Sequence, residues 1–181
     1  CSVGAIYWEE GVSGEAAARG TSPERVKPGG KIVRGACVGN KENLQVVSPP
    51  LLIDAKGTRM LFGDEHVRRY EETDGEVGHD WQEGVPTLVL TTKGRKTGQE
   101  RKFALIYQEV DGNAVIVASK GGAPNHPGWY FNLVEHPEVG VQVGADRYRA
   151  RARTAAGEER SKLWDALAAV WPDYNEYAKK T

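Results

Sequence analysis

Three apolar stretches joined by two tight turns lie in the middle of the chain, and they limit the possible folds more than any other feature. Residues 86–92 (PTLVLTT) are rich in β-branched residues and leucine, which is typical of a buried strand. The turn 93–98 (KGRKTG) and the dipeptide Asp111–Gly112 separate two further stretches, 101–110 and 113–119. Parallel strands need a crossover of roughly a dozen residues, so these short connections predict antiparallel neighbours and disfavour a βαβ fold.

Helical patterns flank these strands. Phe62, His66, Val67 and Tyr70 fall near helical spacing, with Asp64 as the predicted N-cap. Pro127 predicts the first turn of a short helix. A fourth strand is predicted by the alternation of Val139, Val141 and Val143. A last helix is predicted over 158–179, where Pro172 divides it into two pieces. This order predicts a mainly β fold of the α+β type, a small antiparallel β-barrel with peripheral helices.

Residues 1–59 differ from the rest of the chain, because glycine and proline recur throughout them and no periodicity is sustained. We predict that this region is mostly irregular and that the folded domain covers residues 60–181. The chain begins with Cys1, and its single methionine is Met60, where the regular pattern starts. We interpret these two facts as a misplaced start; a genuine N-terminal extension is the alternative.

The charge and composition of the chain exclude several classes of protein. Lysine and arginine number 24 against 25 acidic residues, so the net charge of −1 disfavours a nucleic-acid-binding protein. Two cysteines form no metal pair or disulfide framework, and His66 has no second ligand at metal spacing, so we predict no metal site. No signal peptide and no apolar run of about 20 residues is found, which predicts a cytoplasmic protein.

Two clusters could carry chemistry. The basic turn holds Lys93, Arg95, Lys96, Arg101 and Lys102 within ten residues, which suits a phosphate group. The stretch 115–137 and the C-terminal aromatic residues could hold a flat heteroaromatic ligand, with main-chain amides around Gly121 and Gly122 at its polar edge. No nucleophile–base pair accompanies these clusters, which indicates cofactor chemistry.

Four arginines alternate along one further stretch, at positions 147, 149, 151 and 153. Period-two spacing places them on one face of a strand. We interpret this face as the solvated outer side of the sheet. The alternative is a contact with anionic lipid or with a polyanionic cofactor tail.

The motifs GRKTG at 94–98 with Arg101, VASKGGAPNHPGWYFNL at 117–133 and WPDYNEY at 171–177 occur in one order and spacing. In this combination the chain, over residues 61–181, resembles the deazaflavin-dependent nitroreductase family of actinobacteria. The resemblance implies an FMN-binding-like split β-barrel. It also implies coenzyme F420, whose reduced form transfers a hydride to a quinone-like or nitroaromatic acceptor.

The resemblance also implies roles for individual residues. Ser119, Tyr174 and Tyr177 correspond to acceptor-site residues and are the predicted catalytic set. The basic turn corresponds to the phosphate and tail site, residues 102–106 to the segment along the cofactor, residues 117–120 to the polar edge of the ring, and residues 128–132 to the rest of the pocket. The implied cofactor-binding residues are Arg95, Lys96, Thr97, Arg101, Lys102, Phe103, Ala104, Leu105, Ile106, Val117, Ala118, Ser119, Lys120, Gly128, Trp129, Tyr130, Phe131, Asn132 and Tyr174.

Two departures from the family pattern and two alternative functions accompany this interpretation. Ala104 stands where the family often has proline, and the chain ends at Thr181, where the family continues with an apolar strand, so we expect a domain without its last strand.

The alternatives are an FMN-dependent split-barrel reductase and a non-catalytic F420-binding protein. We expect a monomer or weak homodimer, with peripheral contact at the inner face of the cell membrane as an option.

Overall fold

The protein is described here by a computed structural model, which covers residues 60–180 and, for the backbone alone, residues 2–7. Seven strands and four helices are found in these ranges, together with a 3₁₀ turn over Lys120–Gly122. The strands are β1 (Ser2–Tyr7), β2 (Asp80–Gln82), β3 (Val85–Lys93), β4 (Glu100–Val110), β5 (Asn113–Ala118), β6 (Glu138–Val143) and β7 (Asp146–Thr154). The helices are α1 (Gly63–Glu72), α2 (Gly128–Glu135), α3 (Gly157–Val170) and α4 (Asp173–Ala178).

The described strands form one antiparallel sheet that closes into a barrel. Their order is β2-β3-β4-β5-β1-β7-β6, and β3 pairs with β6 as well, so that β2 alone lies outside the closed ring. At the β4–β5 hairpin, Asp111 and Gly112 have φ angles of 52° and 77°, as a two-residue turn of the I′ type requires. The predicted hairpins and the predicted antiparallel barrel with peripheral helices are confirmed.

Strand β1 is a difference from the mostly irregular structure predicted for residues 1–59. It pairs antiparallel with β5, from Ser2 opposite Ala118 to Ile6 opposite Ala114, and on its other side with β7. The sequence does not show this pairing because both partners lie more than 100 residues away in the chain and a six-residue strand carries little periodicity. The remainder of residues 1–59 lies outside the described residues, and the domain boundary at residue 60 stays a prediction.

Helix α1 begins two residues earlier than the sequence suggests. Phe62 is the N-cap, and it makes no side-chain capping bond, so the prediction that Asp64 caps the helix is wrong. Asp64 and Glu65 lie in the first turn instead, where their carboxylates interact favourably with the positive end of the helix dipole. The helix buries His66, Val67 and Tyr70, which is the face that the spacing predicted.

The core has two main parts, one on each side of β5. Ile116 and its alternate neighbours face the barrel interior, where they pack with Leu88, Leu90 and the α2 residue Leu133. Val115 and Val117 face the other way and pack against Leu163 and Leu167 of α3 together with Tyr174 of α4. Because both faces of β5 are packed, the position of its last residue, Ala118, is fixed, and so is the start of the loop that follows.

The arginine stripe lies on β7, as the alternation predicted. Arg147 contacts Asp74 at 2.8 Å, Arg151 contacts Glu138 at 3.8 Å and Arg153 contacts Glu159 at 2.5 Å. Neutralisation by neighbouring carboxylates favours the solvated outer face over an anion-binding surface. No helix in the described ranges has the length and apolar composition needed to cross a bilayer.

Candidate functional site

The basic turn between β3 and β4 forms one wall of a cavity of about 780 Å³, which we call the basic cavity. Helix α1 forms the opposite wall, and the start of α2 closes one end. Its ionisable lining residues are Asp64, Arg68, Glu71, Glu72, Arg95, Lys96, Glu100, Arg101 and Lys102; Thr97, Phe103, Gly128 and Asn132 also line it.

The charges of the basic cavity divide into a paired side and an unpaired side. On the α1 side, Arg68 contacts Glu72 at 2.9 Å and Lys102 contacts Glu71 at 2.6 Å. Among the described residues, Arg95, Lys96 and Arg101 have no carboxylate within ion-pair distance. These three cations, on the turn and at the start of β4, have no ion-pair partner and provide the donors that an anionic group requires.

Asn132 of α2 holds the backbone of this turn in place. Its side chain is 8% exposed, accepts a hydrogen bond from the amide of Arg95 at 3.2 Å and donates one to Oγ1 of Thr92 at 3.1 Å. The Arg95 guanidinium in turn lies 4.9 Å from the centre of the Phe131 ring, a cation–π contact. Asn132 and Phe131 therefore orient the turn from α2, and Phe131 acts through Arg95.

A second cavity, of about 470 Å³, lies next to the first, and we call it the aromatic cavity. It is bounded by the loop after β5, the middle of β4 and helix α4, and no aspartate or glutamate lines it among the described residues. Its lining includes the predicted residues Ala104, Leu105, Ile106, Val117, Ser119, Lys120, Trp129, Tyr174 and Tyr177. Aromatic faces around a few polar groups suit a flat heteroaromatic ring.

The two cavities follow one another along β4. Arg101, Lys102 and Phe103 line the basic cavity, and the next three residues of the strand line the aromatic cavity. The walls continue in the same way through α1, where Val67 lines one cavity and His66 the other. A molecule with a flat ring at one end and an anionic group at the other could therefore occupy both.

The loop after β5 has an unusual backbone. Lys120, Gly121 and Gly122 have φ angles of 46°, 64° and 79° in succession, all in the left-handed region. For lysine this conformation costs roughly 1–2 kcal/mol, and such strain is found mainly at ligand-binding sites. Gly122 also lies against α4: a Cβ atom there would be 3.2 Å from Cα of Tyr177. Helix α4 therefore packs directly on the loop.

The two predicted catalytic tyrosines lie together on α4. Their ring centroids are 6.2 Å apart at an angle of 72°, and both rings line the aromatic cavity. Burial raises the pKa of the Tyr174 phenol, and the neighbouring Tyr177 adds to this effect. Tyr174 therefore stays protonated at neutral pH and is a poor proton donor.

Several residues of the aromatic cavity were not among the predicted site residues. Phe62 and Trp81 stack edge to face at 5.4 Å, and Trp81 also lies 5.7 Å from Trp171, so these three rings form one side of the cavity. His66 and Thr87 contribute polar atoms. The sequence signal for His66 was its place on the buried helix face, which by itself predicts a core residue.

Three predicted cofactor residues line neither cavity. Ala118 is 2% exposed and lies in the barrel core, while Tyr130 packs against that core from α2. Phe131 is 39% exposed and meets the site through Arg95 alone. Direct contact of these three side chains with a ligand stays a prediction.

Comparison with known proteins gives a consistent result over this part of the chain. A family model described as F420H(2)-dependent quinone reductase matches residues 63–181. An F420H(2)-dependent quinone reductase of Mycobacterium tuberculosis is 41% identical over 105 residues, which are 56% of this chain and 70% of that protein.

Solved structures are similar over the same region. One is described as an F420-H2 dependent reductase (FDR-A), with 42% identity and a TM-score of 0.50, covering 53% of this chain and 85% of the other. A second is described as a domain-swapped dimer, with 39% identity and a TM-score of 0.53, covering 64% of this chain and 89% of the other.

Proposed function

Because the chain belongs to the F420H(2)-dependent quinone reductase family, we propose that its two neighbouring cavities bind reduced coenzyme F420 and a quinone acceptor. The protein is an oxidoreductase, and its cofactor is coenzyme F420. When bound, this cofactor supplies a hydride. The observation that supports the proposed site best is that consecutive residues of β4 line first the basic cavity and then the aromatic cavity.

In this proposal the basic cavity holds the anionic end of the cofactor. Arg95, Lys96 and Arg101 form no ion pair with a described carboxylate, although Asp64 and Glu100 line the same cavity, and Arg95 is already oriented by Asn132 and Phe131. A guanidinium that is oriented before binding loses less side-chain entropy when it contacts a phosphate. The lysine and arginine residues of this turn therefore bind and orient, and they take no part in the chemistry.

The aromatic cavity holds the ring and the acceptor. Ser119, at the start of the strained loop, lines this cavity and offers a hydroxyl that could polarise an acceptor carbonyl. Trp81, Trp171 and Tyr177 cover apolar ring faces and exclude water from them. Reduction of nitroaromatic compounds at the same place stays a prediction.

The two alternative functions from the sequence analysis predict different binding and activity. A non-catalytic F420-binding protein would bind the cofactor but show no oxidation of its reduced form by a quinone, and an FMN-dependent reductase would prefer FMN. The family match favours neither. A monomer or weak homodimer stays a prediction for this chain, and the similar structure described as a domain-swapped dimer supports the homodimer.

Replacing Lys96 with alanine should weaken F420 binding about 10-fold, because a charge-assisted hydrogen bond to an anion contributes roughly 1.5–3 kcal/mol. The measurement is a fluorescence titration of the full chain with oxidised F420, with FMN titrated in parallel. Lys162→Ala is the matched control, since Lys162 pairs with Asp111 at 2.7 Å on the remote β4–β5 hairpin. Equal affinities for Lys96→Ala and the wild type would refute the assignment of the turn, and a preference for FMN would refute the cofactor site.

Replacing Asn132 with alanine should lower the free energy of unfolding by about 1–3 kcal/mol, since it leaves the Arg95 amide without its partner. A looser turn should also weaken F420 binding several-fold. Chemical denaturation and the same titration measure the two effects. Asn113→Ala, on the exposed hairpin where the side chain contacts the Asp111 carbonyl at 3.0 Å, should change neither. A loss of stability with unchanged affinity would show that Asn132 does not position the binding turn.

A further inference from the structure

His66 is a buried histidine whose ring makes one short hydrogen bond. Its side chain is 4% exposed, and Nε2 lies 2.9 Å from the carbonyl oxygen of Gly78. A carbonyl only accepts hydrogen bonds, so Nε2 carries the proton of the neutral ring and Nδ1 carries a lone pair. This contact determines the tautomer.

The other ring nitrogen, Nδ1, belongs to a side chain that lines the aromatic cavity. Both hydrogen bonds of the His66 ring involve Nε2, and Nδ1 has no partner among residues 60–180. In the same range, every fully buried side-chain nitrogen or oxygen does have a partner. It follows that Nδ1 is not completely enclosed, although the residue is only 4% exposed. The cavity that His66 lines is the one that also contains Ser119 and Tyr177.

A quinone oxygen can form a hydrogen bond with Nδ1 only when Nδ1 carries a proton. Quinone oxygens are hydrogen-bond acceptors, so a neutral Nδ1 and a quinone oxygen would place two lone pairs against each other. The contact becomes favourable when Nδ1 gains a proton, because the imidazolium donates from both nitrogens. After the ring of the quinone has accepted a hydride, the remaining oxyanion requires one proton.

We propose that His66 is the proton donor for quinone reduction in this protein. This inference rests on the proposed function. The quinone gains two electrons and a hydrogen as hydride, the N–H bond at Nδ1 breaks, and an O–H bond forms on the quinone oxygen. Neutral imidazole remains and takes up its next proton from solvent.

The surroundings of His66 keep the imidazole neutral before a quinone binds, so Nδ1 must take up a proton when the quinone enters. Burial lowers the pKa of the imidazole, an effect opposed by the hydrogen bond with the Gly78 carbonyl. A low pKa makes the protonated ring a stronger acid than the phenol of Tyr174. The titratable groups that face it are Tyr70 on its own helix, His79 behind Tyr70, and Lys120, Tyr174 and Tyr177 across the cavity.

The first test is the pH dependence of the reduction of a 1,4-naphthoquinone by reduced F420, from about pH 5.5 to 8.5, which spans the ordinary range of imidazole. The wild-type kcat should fall as the pH rises above the pKa of His66. In His66→Gln, whose amide can still donate to Gly78, kcat should drop about 100-fold, the lower end for general acids, and lose this slope. The KM for the quinone should stay within about threefold, and F420 affinity should be unchanged.

The second test does not depend on activity. The chain contains four histidines, so the imidazole signal that is missing from the proton NMR spectrum of His66→Gln identifies His66. In wild-type protein with oxidised F420, a 1,4-naphthoquinone should raise the pKa of that signal. No shift, or a slope that persists in His66→Gln but disappears in Tyr177→Phe, would overturn the proposal. Absence of F420 binding by the wild type would instead refute the proposed function.

Discussion

Replacing Tyr70 with phenylalanine should lower the free energy of unfolding by about 2–4 kcal/mol, although it removes one oxygen atom. Tyr70 is fully buried, and its hydroxyl accepts a hydrogen bond from the Gly144 amide at 2.8 Å. The same hydroxyl donates to the Thr87 carbonyl at 3.0 Å and lies 2.8 Å from Nδ1 of His79. Removing it leaves several buried polar groups without this partner. Thermal unfolding should show a fall in Tm of about 5–15 °C.

Tyr130→Phe is the matched control for this prediction. It removes the same atom, but the Tyr130 hydroxyl is 3.4 Å from Oγ1 of Thr154 in an exposed contact. Its unfolding free energy should change by less than about 0.5 kcal/mol. Similar losses in the two variants would show that the Tyr70 hydrogen bonds do not hold α1 on the barrel.

Replacing Gly122 with alanine should both destabilise the protein and damage the acceptor site. Gly122 has a φ of 79°, and its new Cβ would lie 3.2 Å from Cα and Cδ1 of Tyr177. The left-handed conformation costs roughly 1–2 kcal/mol, and overpacking against backbone adds roughly 1–3 kcal/mol. Helix α4 should move away from the loop, carrying Tyr174 and Tyr177 with it. We expect the KM for the quinone to rise about 10-fold or more.

Gly121→Ala separates the cost of the left-handed backbone conformation from the cost of overpacking against α4. Gly121 has a φ of 64°, and a Cβ there would meet no atom within 4 Å. This variant should therefore show the conformational cost in chemical denaturation with a nearly unchanged KM. A KM that rises equally in both variants would mean that the loop backbone, rather than its contact with α4, determines the acceptor site.

The structure assigns separate tasks to the elements around the site. Strand β4 links the two cavities, α2 orients the basic turn through Asn132, and α4 packs on the strained loop at Gly122. Strand β1 pairs with the end of β5 immediately before that loop, with Ser2 opposite Ala118. The site is therefore supported by elements from distant parts of the chain.

Local signals in the sequence were sufficient for much of the fold. The pattern of β-branched residues, the Asp111–Gly112 turn and the break at Pro172 each depend on near neighbours, and each predicted its element correctly. The three ordered motifs likewise led to the family, because spacing along the chain is itself a sequence property. The composition of the basic turn suggested a phosphate site, and that assignment stays a prediction.

Tertiary structure decided what depends on distant partners. Strand β1 pairs with residues more than 100 positions away, and Trp81 meets Trp171 from the other end of the domain. The sequence placed His66 only on a buried helix face; in the fold, the Gly78 carbonyl fixes its tautomer and the residue lines the aromatic cavity. The sequence by itself determined most of the elements and the family, since these arise from local pattern, but it did not show β1. The fold alone decided which side chains share a cavity, because burial and hydrogen bonding are set by residues brought together from across the chain.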